Sequence, residues 1–271
     1  MSTQQATSMN NLHNVVVKSR QDQYTLWQIL GIWLLAAVPM GLLIWVVFPA
    51  LKDSVAIQPE IFFFALNVAG LMWQVVLSLT ILYRETGTLR LWTIRERTWR
   101  QNPRDPKTGQ PRGILWLWLI PIIIVEFVLA MGVEPVVSGV WTSIFPFFAD
   151  PISLDTLAET PELYVGAWSL VVLQVLLLVG NYWLGEEFLF RSVLLPKMNR
   201  VFGRWDWLAN AVLFATYHWH KPSVLVSAIL TGSLFAFTTK HWRTAWFGLI
   251  PHAIEGVFLL FIILGIVLGL A

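Results

Sequence analysis

From about residue 26 onward, long apolar stretches alternate with short polar connections. A helix needs about 20 mostly apolar residues to cross the hydrocarbon core of a bilayer. About seven stretches reach or approach that length, although the fifth is short for a full crossing. We predict membrane spans at residues 26–50, 61–83, 114–133, 163–184, 205–219, 222–239 and 245–271. The pattern therefore predicts an all-α, polytopic transmembrane helix bundle.

Composition narrows the class of protein. Hydrophobic residues make up 56% of the chain and charged residues 13%, which argues strongly against a soluble globular domain. The chain has no cysteine, so disulfides and thiolate chemistry are excluded. Residues 1–25 are polar and include Lys18 and Arg20, so we expect a polar N-terminal tail without a cleavable signal peptide. We expect the lipid bilayer as a partner and no nucleic acid, and the oligomeric state stays open.

Positive charge is concentrated in alternate connections between the spans. The basic residues after spans two, four and six are Arg84, Arg90, Arg95, Arg97, Arg100, Arg104, Lys107, Arg112, Lys197, Arg200, Arg204, Lys240 and Arg243. Residues 134–162 contain no Lys or Arg but do contain acidic residues. Because short basic loops remain in the cytoplasm, we predict a cytoplasmic N-terminus and a C-terminus outside.

Two connections are long enough to have a function of their own. The basic loop at 84–113 could bind anionic lipid head groups, or it could only set the topology. Residues 134–162 contain Trp141 and several phenylalanines, which is typical of an interfacial segment or a lid over a site. Both interpretations of each segment stay open.

The candidate chemistry begins with the sequence GEEFLFR at residues 185–191, at the end of the fourth span. Ionisable groups inside membrane spans are costly and usually functional. Glu187 and Arg191 are four residues apart and share one helix face, so they can pair. Glu186 points about 100° away and is free for another role. The alternative is a structural ion pair beside one solvated acid.

Two histidines in later spans can meet these carboxylates. Glu186 precedes Arg200 by fourteen positions and His218 follows Arg204 by fourteen. An antiparallel helix pair would place both side chains up to about 21 Å from that turn, and His252 lies about 14 Å along the next helix from its own cytoplasmic turn. We therefore expect three helices to bring these groups together. Alternatively, each histidine caps a backbone carbonyl or lies at the membrane interface.

Such a group could activate water inside the membrane. A carboxylate in an apolar pocket can act as a general base, a histidine can relay the proton, and a second histidine can donate to a developing oxyanion. Together they would hydrolyse an amide without a covalent intermediate. Glu126, within span three, could support the site by hydrogen bonding or be a protonated acid in the bundle. We expect His220 to be interfacial.

The Glu186-Glu187-x-x-x-Arg191 motif, Phe214-x-x-x-His218 and His252 resemble, in order and spacing, the motifs of the CAAX protease and bacteriocin-processing family. This family, also called Abi, consists of intramembrane glutamic endopeptidases and includes the type II CAAX prenyl endopeptidases. The resemblance covers about residues 160–260. It implies a protease core, which we place at 136–271, after N-terminal spans at 26–135.

The resemblance also implies roles for individual residues. Glu186 would activate water, and His218 would work with it. His252 would help to stabilise the oxyanion, while Glu187 and Arg191 would shape the site. These roles place the active site inside the membrane and require no metal.

One position departs from the family pattern. Four positions after the last histidine the family usually has Asn or another polar residue, and this chain has Gly256. The loss of one oxyanion donor costs about 10²–10³ in rate. Either another group substitutes for that donor, or the enzyme is slow, or the protein is a pseudoenzyme.

We therefore predict an integral protein of a prokaryotic plasma membrane that cleaves a peptide bond of a membrane-associated or lipidated polypeptide. The first alternative is a weak or inactive scaffold, or a bacteriocin-immunity protein, with the same fold. The second is a proton-coupled transporter that uses the same buried groups. The third is a zinc-dependent, metalloendopeptidase-like site formed by Glu186, His218 and His252, although no His-Glu-x-x-His motif is present.

Overall fold

A computed structural model describes residues 23–148, 150–152 and 154–270. The predicted polar tail at 1–25 therefore lies almost entirely outside the described residues. Within the described ranges the chain is helical and contains no strand, apart from an isolated bridge between Arg104 and Pro111. The all-α prediction is confirmed.

The principal helices are α1 (Leu26–Leu51), α2 (Pro59–Thr86), α3 (Leu91–Arg97), α4 (Gly113–Ile144), α5 (Leu154–Glu159), α6 (Trp168–Leu177), α7 (Asp206–Tyr217), α8 (Leu225–Trp242) and α9 (Trp246–Val267). Wider, π-helical winding occurs at Leu43–Val47, Leu129–Val133, Leu178–Leu184 and Phe188–Leu194. Short helical turns cover Pro146–Phe148, Pro161–Tyr164, Leu195–Lys197, Asn199–Phe202, Gly203–Trp205, His218–His220 and Pro222–Val224.

Five of these helices, α1, α2, α4, α8 and α9, are long and apolar enough to cross a membrane. The predicted fourth and fifth spans, at 163–184 and 205–219, correspond to the shorter helices α6 and α7. Five of the seven predicted spans are therefore found at full crossing length, and a seven-span arrangement is compatible with the fold.

The third predicted span is longer than the sequence indicated. We expected it to end at residue 133, but the helix continues through a π-helical turn to Ile144. Glu134 does not end the helix because its carboxylate hydrogen-bonds Ser227 on α8, and apolar residues such as Val136 and Val140 follow it. The first part of the predicted interfacial segment is thus a continuation of α4.

Local sequence signals explain where the first two helices begin and end. Thr25 caps α1, since its hydroxyl accepts from the Gln28 backbone N–H while the Gln28 side chain accepts from the Thr25 N–H. Pro59 occupies the first turn of α2, where its missing N–H costs nothing. The helix ends at Gly87, whose φ of 68° is left-handed.

Hydrogen bonds between connections define two ends of the bundle. At the basic end the bonds are Tyr24 N–H to the Lys197 carbonyl, Arg104 N–H to the Trp242 carbonyl and Lys240 Nζ to the Arg204 carbonyl. At the other end they are Gln58 Nε2 to the Leu163 carbonyl, Ser223 N–H to Asp150 Oδ1 and Gly166 N–H to the Val267 carbonyl. The fold therefore gathers the basic connections at one end and the acidic segment at the other.

The largest core cluster surrounds the stretch that follows the paired glutamates. Every residue of Phe188–Leu194 is buried. This stretch packs with buried residues of α1, α2 and α7, including Ile29, Leu82 and Tyr217. Residues 185–194 therefore lie at the centre of the bundle.

Candidate active site

A break in helical winding presents the two glutamates. The π-helical stretch Leu178–Leu184 ends at Gly185, whose φ and ψ are both −100°. A Cβ at this position would lie 1.9 Å from the Gly180 carbonyl oxygen, so only glycine allows the chain to pack so closely on itself. Winding of this kind is rare and is common at functional sites.

Glu187 and Arg191 form the ion pair that their spacing predicts. Arg191 Nε lies 3.5 Å from Glu187 Oε2, and both side chains are completely buried. Arg191 Nη1 also donates to Asn210 Oδ1 at 2.9 Å, and Asn210 Nδ2 donates to the Phe190 carbonyl. The guanidinium lies 4.2 Å from the centre of the Phe214 ring. The sequence did not reveal the part that Asn210 plays here.

Glu186 faces a different group of residues, as the helical geometry predicts. Its Oε2 is 3.7 Å from His218 Nε2, and its carboxylate is almost fully buried. His218 Nδ1 is 2.8 Å from the Phe214 carbonyl. Because a carbonyl can only accept, Nδ1 carries a proton, and in the neutral ring Nε2 is then an acceptor directed at Glu186.

Two polar residues that we had not assigned to the site contact Glu186, and a third supports one of them. The Asn181 amide, with its NH₂ toward the carboxylate, donates to Oε2 at 2.5 Å and Oε1 at 3.1 Å. The Tyr217 hydroxyl hydrogen-bonds the same carboxylate and accepts from Gln74 Nε2 at 2.6 Å. The sequence did contain signals for these residues. Asn181 and Gln74 are polar residues within apolar spans, and Tyr217 directly precedes His218.

His252 contacts the second glutamate. Its Nδ1 lies 3.3 Å from Glu187 Oε1. Its ring centre is 5.4 Å from that of Phe235 and 6.2 Å from that of Phe214. The structure thus brings all five predicted side chains together as two neighbouring groups, Glu186 with His218, and Glu187 with His252 and Arg191.

The two other ionisable residues singled out in the sequence behave differently. Glu126 is buried in α4 and lies near the ionisable side chains of Glu255, His252 and Glu187. His220, which we expected at the interface, is buried among protein side chains, and its interfacial depth stays a prediction. Its ring folds under the end of α7, where Nδ1 is 3.2 Å from the Tyr217 carbonyl, and it stacks on His218 with 5.5 Å between the ring centres.

The basic loop also reaches the site, which the sequence did not indicate. Arg100 Nη2 donates to the Trp183 carbonyl, two residues before Gly185. Its guanidinium lies 4.4 Å from the centre of the Phe188 ring. Burial lowers the pKa of Arg100 to about 10, an effect that the charge of Glu187 opposes. Arg100 therefore remains a cation at neutral pH.

Donor geometry does not support the zinc alternative. Across the described residues, no group of three or more His, Asp or Glu side chains is arranged to hold a metal ion. Glu186, His218 and His252 do not form one because His252 turns toward Glu187. The chemistry that these groups offer is proton transfer by a buried carboxylate beside an imidazole acceptor.

Comparison with known proteins agrees with the resemblance seen in the motifs. Residues 167–258 match the family model described as type II CAAX prenyl endopeptidase Rce1-like. The matched segment runs from the start of α6 into α9 and includes the paired glutamates, His218 and His252. No curated protein and no solved structure matches the chain. The match and the apolar helices together identify an integral membrane protein with a CAAX protease-like segment.

Proposed function

We propose that this chain, whose core segment matches a family of prenyl endopeptidases, is an intramembrane glutamic endopeptidase. Its substrate would be a membrane-associated or lipidated polypeptide. The observation that carries the proposal is the placement of Glu186. This carboxylate is buried at a backbone break, faces His218 Nε2 and lies within the matched segment.

In the proposed reaction Glu186 acts as the general base. It accepts a proton from water while the water oxygen bonds to the carbonyl carbon of the substrate. Collapse of the tetrahedral intermediate then breaks the C–N bond. The proton passes to the leaving nitrogen, either from Glu186 or through His218 Nε2, whose acceptor state is fixed by the Nδ1–H bond to the Phe214 carbonyl.

We propose that His252 stabilises the oxyanion. Its Nδ1 lies 3.3 Å from Glu187 Oε1, and in this proposal Nε2 donates to the substrate oxygen. Donation from both ring nitrogens requires the protonated imidazolium form of His252. The neighbouring Glu187 carboxylate would balance its positive charge. Arg191, which donates to Asn210, pairs with Glu187 and holds it in place for this role.

A membrane-embedded site limits which polypeptides can enter. A lipidated C-terminus or the end of a transmembrane helix can approach from the bilayer, whereas a soluble polypeptide cannot. The name of the matching family makes a prenylated CAAX peptide the first substrate to test, followed by a bacteriocin precursor. We further propose a prokaryotic plasma membrane as the location, with the basic end of the bundle in the cytoplasm.

The test is cleavage of a fluorogenic prenylated peptide in proteoliposomes. Removal of a general base costs about 10²–10⁴ in rate, so we expect Glu186→Gln to lose activity by that factor. Glu134→Gln is the matched control, since its amide preserves the bond to Ser227 and its position lies outside the motifs. Equal activity in Glu186→Gln and the wild type would contradict the glutamic mechanism. Loss of activity on chelation, restored by zinc, would support the metal alternative.

The second candidate is a scaffold or immunity protein with little turnover. Gly256 favours it, because this buried position one turn after His252 offers no side-chain donor. Gly256→Asn should raise cleavage if a missing donor limits the enzyme. A folded wild type that cleaves no peptide in the panel, together with a phenotype retained by Glu186→Gln, would favour the scaffold.

A further inference from the structure

The amide of Asn181 is the most direct polar contact of Glu186. It donates to both carboxylate oxygens, at 2.5 and 3.1 Å. His218 Nε2 approaches Oε2 at 3.7 Å, and the Tyr217 hydroxyl bonds the same group. Glu186 is 3% exposed, so these protein groups are its main polar partners. Charge-assisted hydrogen bonds of this kind are about twice as strong as neutral ones.

Unusual winding is what brings Asn181 to Glu186. Residues five apart in an α-helix lie about 140° apart around the axis, on different faces. Here the intervening residues are π-helical, and the chain closes so tightly that a Cβ on Gly185 would meet the Gly180 carbonyl oxygen at 1.9 Å. The wider turn places residue 181 next to residue 186. The rare winding and the glycine pair therefore serve to form this contact.

We propose that Asn181 is a positioning residue that holds the Glu186 carboxylate against His218. The inference rests on the proposed function and adds a residue outside its motifs. The amide suits this task because it can partner both states of the acid. Its NH₂ donates to the carboxylate, and its oxygen can accept from the carboxylic acid after Glu186 has taken a proton from water.

The second support of Glu186 comes from outside the matched segment. Gln74 on α2 donates to the Tyr217 hydroxyl at 2.6 Å, which directs the hydroxyl proton at Glu186. A hydrogen bond from Tyr217 alone leaves the Glu186 carboxylate free to rotate about its Cγ–Cδ bond. Donation from Asn181 to both oxygens fixes that rotation. Loss of Asn181 should therefore affect the chemical step more than substrate binding.

The first experiment compares Asn181→Leu, Asn181→Asp and wild type in the peptidase assay over a range of pH. We expect Asn181→Leu to lower kcat by about ten-fold or more, since a hydrogen bond to a charged group is lost, and to change KM little. Asn181→Asp has the same shape but repels an ionised Glu186 unless the pair shares a proton. Its activity relative to wild type should rise as the pH falls. The activity of Asn181→Leu relative to wild type should instead decrease further as the pH falls, because loss of the donor favours the protonated form of Glu186, which cannot act as a base.

Asn67→Leu is the matched control. Asn67 is an asparagine buried in an apolar helix, and the hydrogen bond of its amide goes to the Phe63 carbonyl of its own helix. It should keep the wild-type kcat and pH profile. A purely structural role for Asn181 would lower the thermal stability and leave kcat per folded molecule unchanged, and that result would overturn the inference.

A second readout does not require turnover. A hydrophobic carbodiimide modifies protonated carboxyl groups in membranes, and mass spectrometry with Glu186→Gln as the blank identifies the label on Glu186. Without the Asn181 donor the protonated acid is favoured, so labelling should be about ten-fold faster in Asn181→Leu. Equal labelling rates would overturn the inference. Failure of the proposed function would instead be an unaltered cleavage rate in Glu186→Gln.

Discussion

Glu187 occupies a space that exists because residue 248 has no side chain. A Cβ at Gly248 would lie 2.7 Å from Glu187 Oε2 and 3.2 Å from Phe235. Glu187 has no alternative position, since Arg191 and His252 hold its two oxygens and the group is completely buried. The position of the Glu187 carboxylate therefore depends on Gly248, which lies on α9 and is distant in sequence.

Gly248→Ala should displace the Glu187 carboxylate and loosen both of its contacts. Overpacking of a filled interior costs about 1–3 kcal/mol of unfolding free energy, and we expect cleavage to fall at least as steeply as stability. Thermal unfolding in detergent and the peptidase assay would measure the two effects. Gly265 is on the same helix, and nothing lies within 4 Å of its Cβ position. We therefore expect Gly265→Ala to change neither the thermal stability nor the cleavage rate. Equal behaviour of the two variants would contradict the packing argument.

Contacts between residues close in sequence were the easiest to predict. The spacing of Glu187 and Arg191 was sufficient because residues four apart stay near one face of the helix, even in the π-helical stretch that contains Arg191. The contact between Asn181 and Glu186 was not predictable, since it depends on winding that the sequence does not reveal. The partner of His252 also depends on tertiary packing, and helical depth alone could not distinguish Glu186 from Glu187.

At the level of elements, the basic loop is fastened to the turn between α8 and α9. The Ala245 N–H donates to the Trp99 carbonyl, and the Thr244 hydroxyl donates to the Gln101 carbonyl. Trp99 adopts a φ of 53°, which a bulky residue rarely does unless its surroundings impose it. Arg100 lies between these two anchors and reaches the Trp183 carbonyl. The loop therefore does more than set topology, although head-group binding by its other cations stays a prediction.

Arg100→Ala should destabilise the protein and reduce cleavage. It removes a charged donor from the end of the π-helical stretch, a bond worth about 1.5–3 kcal/mol, and it removes the contact with the Phe188 ring. Arg100→Lys keeps the charge but not the planar guanidinium, so we expect an intermediate loss. Thermal unfolding of both variants measures this effect. Arg90→Ala changes the same charge at an exposed position of the loop and serves as the control; equal melting of Arg90→Ala and Arg100→Ala would refute the role.

The sequence identified elements better than it identified their ends. The apolar stretches located the helices, but the predicted third span ended one residue before Glu134, whose partner Ser227 lies on another helix. Gly180 and Asn181 lie in the π-helical part of the predicted fourth span. The backbone break itself falls at Gly185, and its exact position depends on the close packing of the two glycines.

For the whole molecule, the two ends of the bundle differ in charge. Hydrogen bonds join the basic connections at one end and the acidic segment to its neighbours at the other. The sequence predicted this grouping from the positive-inside rule alone, because topology depends on the total charge of each loop and not on individual contacts. Which end faces the cytoplasm follows from the same rule and is open to a direct test.

The chain has no cysteine, so one introduced thiol reports on one position. Lys107→Cys would introduce a thiol in the basic loop, and Glu159→Cys would introduce one in the acidic segment. Both positions are exposed, and helix α4, which is long enough to cross a membrane, separates them in the sequence. In intact bacterial cells a membrane-impermeant maleimide should label Glu159→Cys alone, and after lysis it should label both. The reverse pattern would invert the proposed orientation and place the basic end outside. Labelling of both variants in intact cells would mean that α4 does not separate the two sides, and the transmembrane arrangement of the bundle would then have to be redrawn.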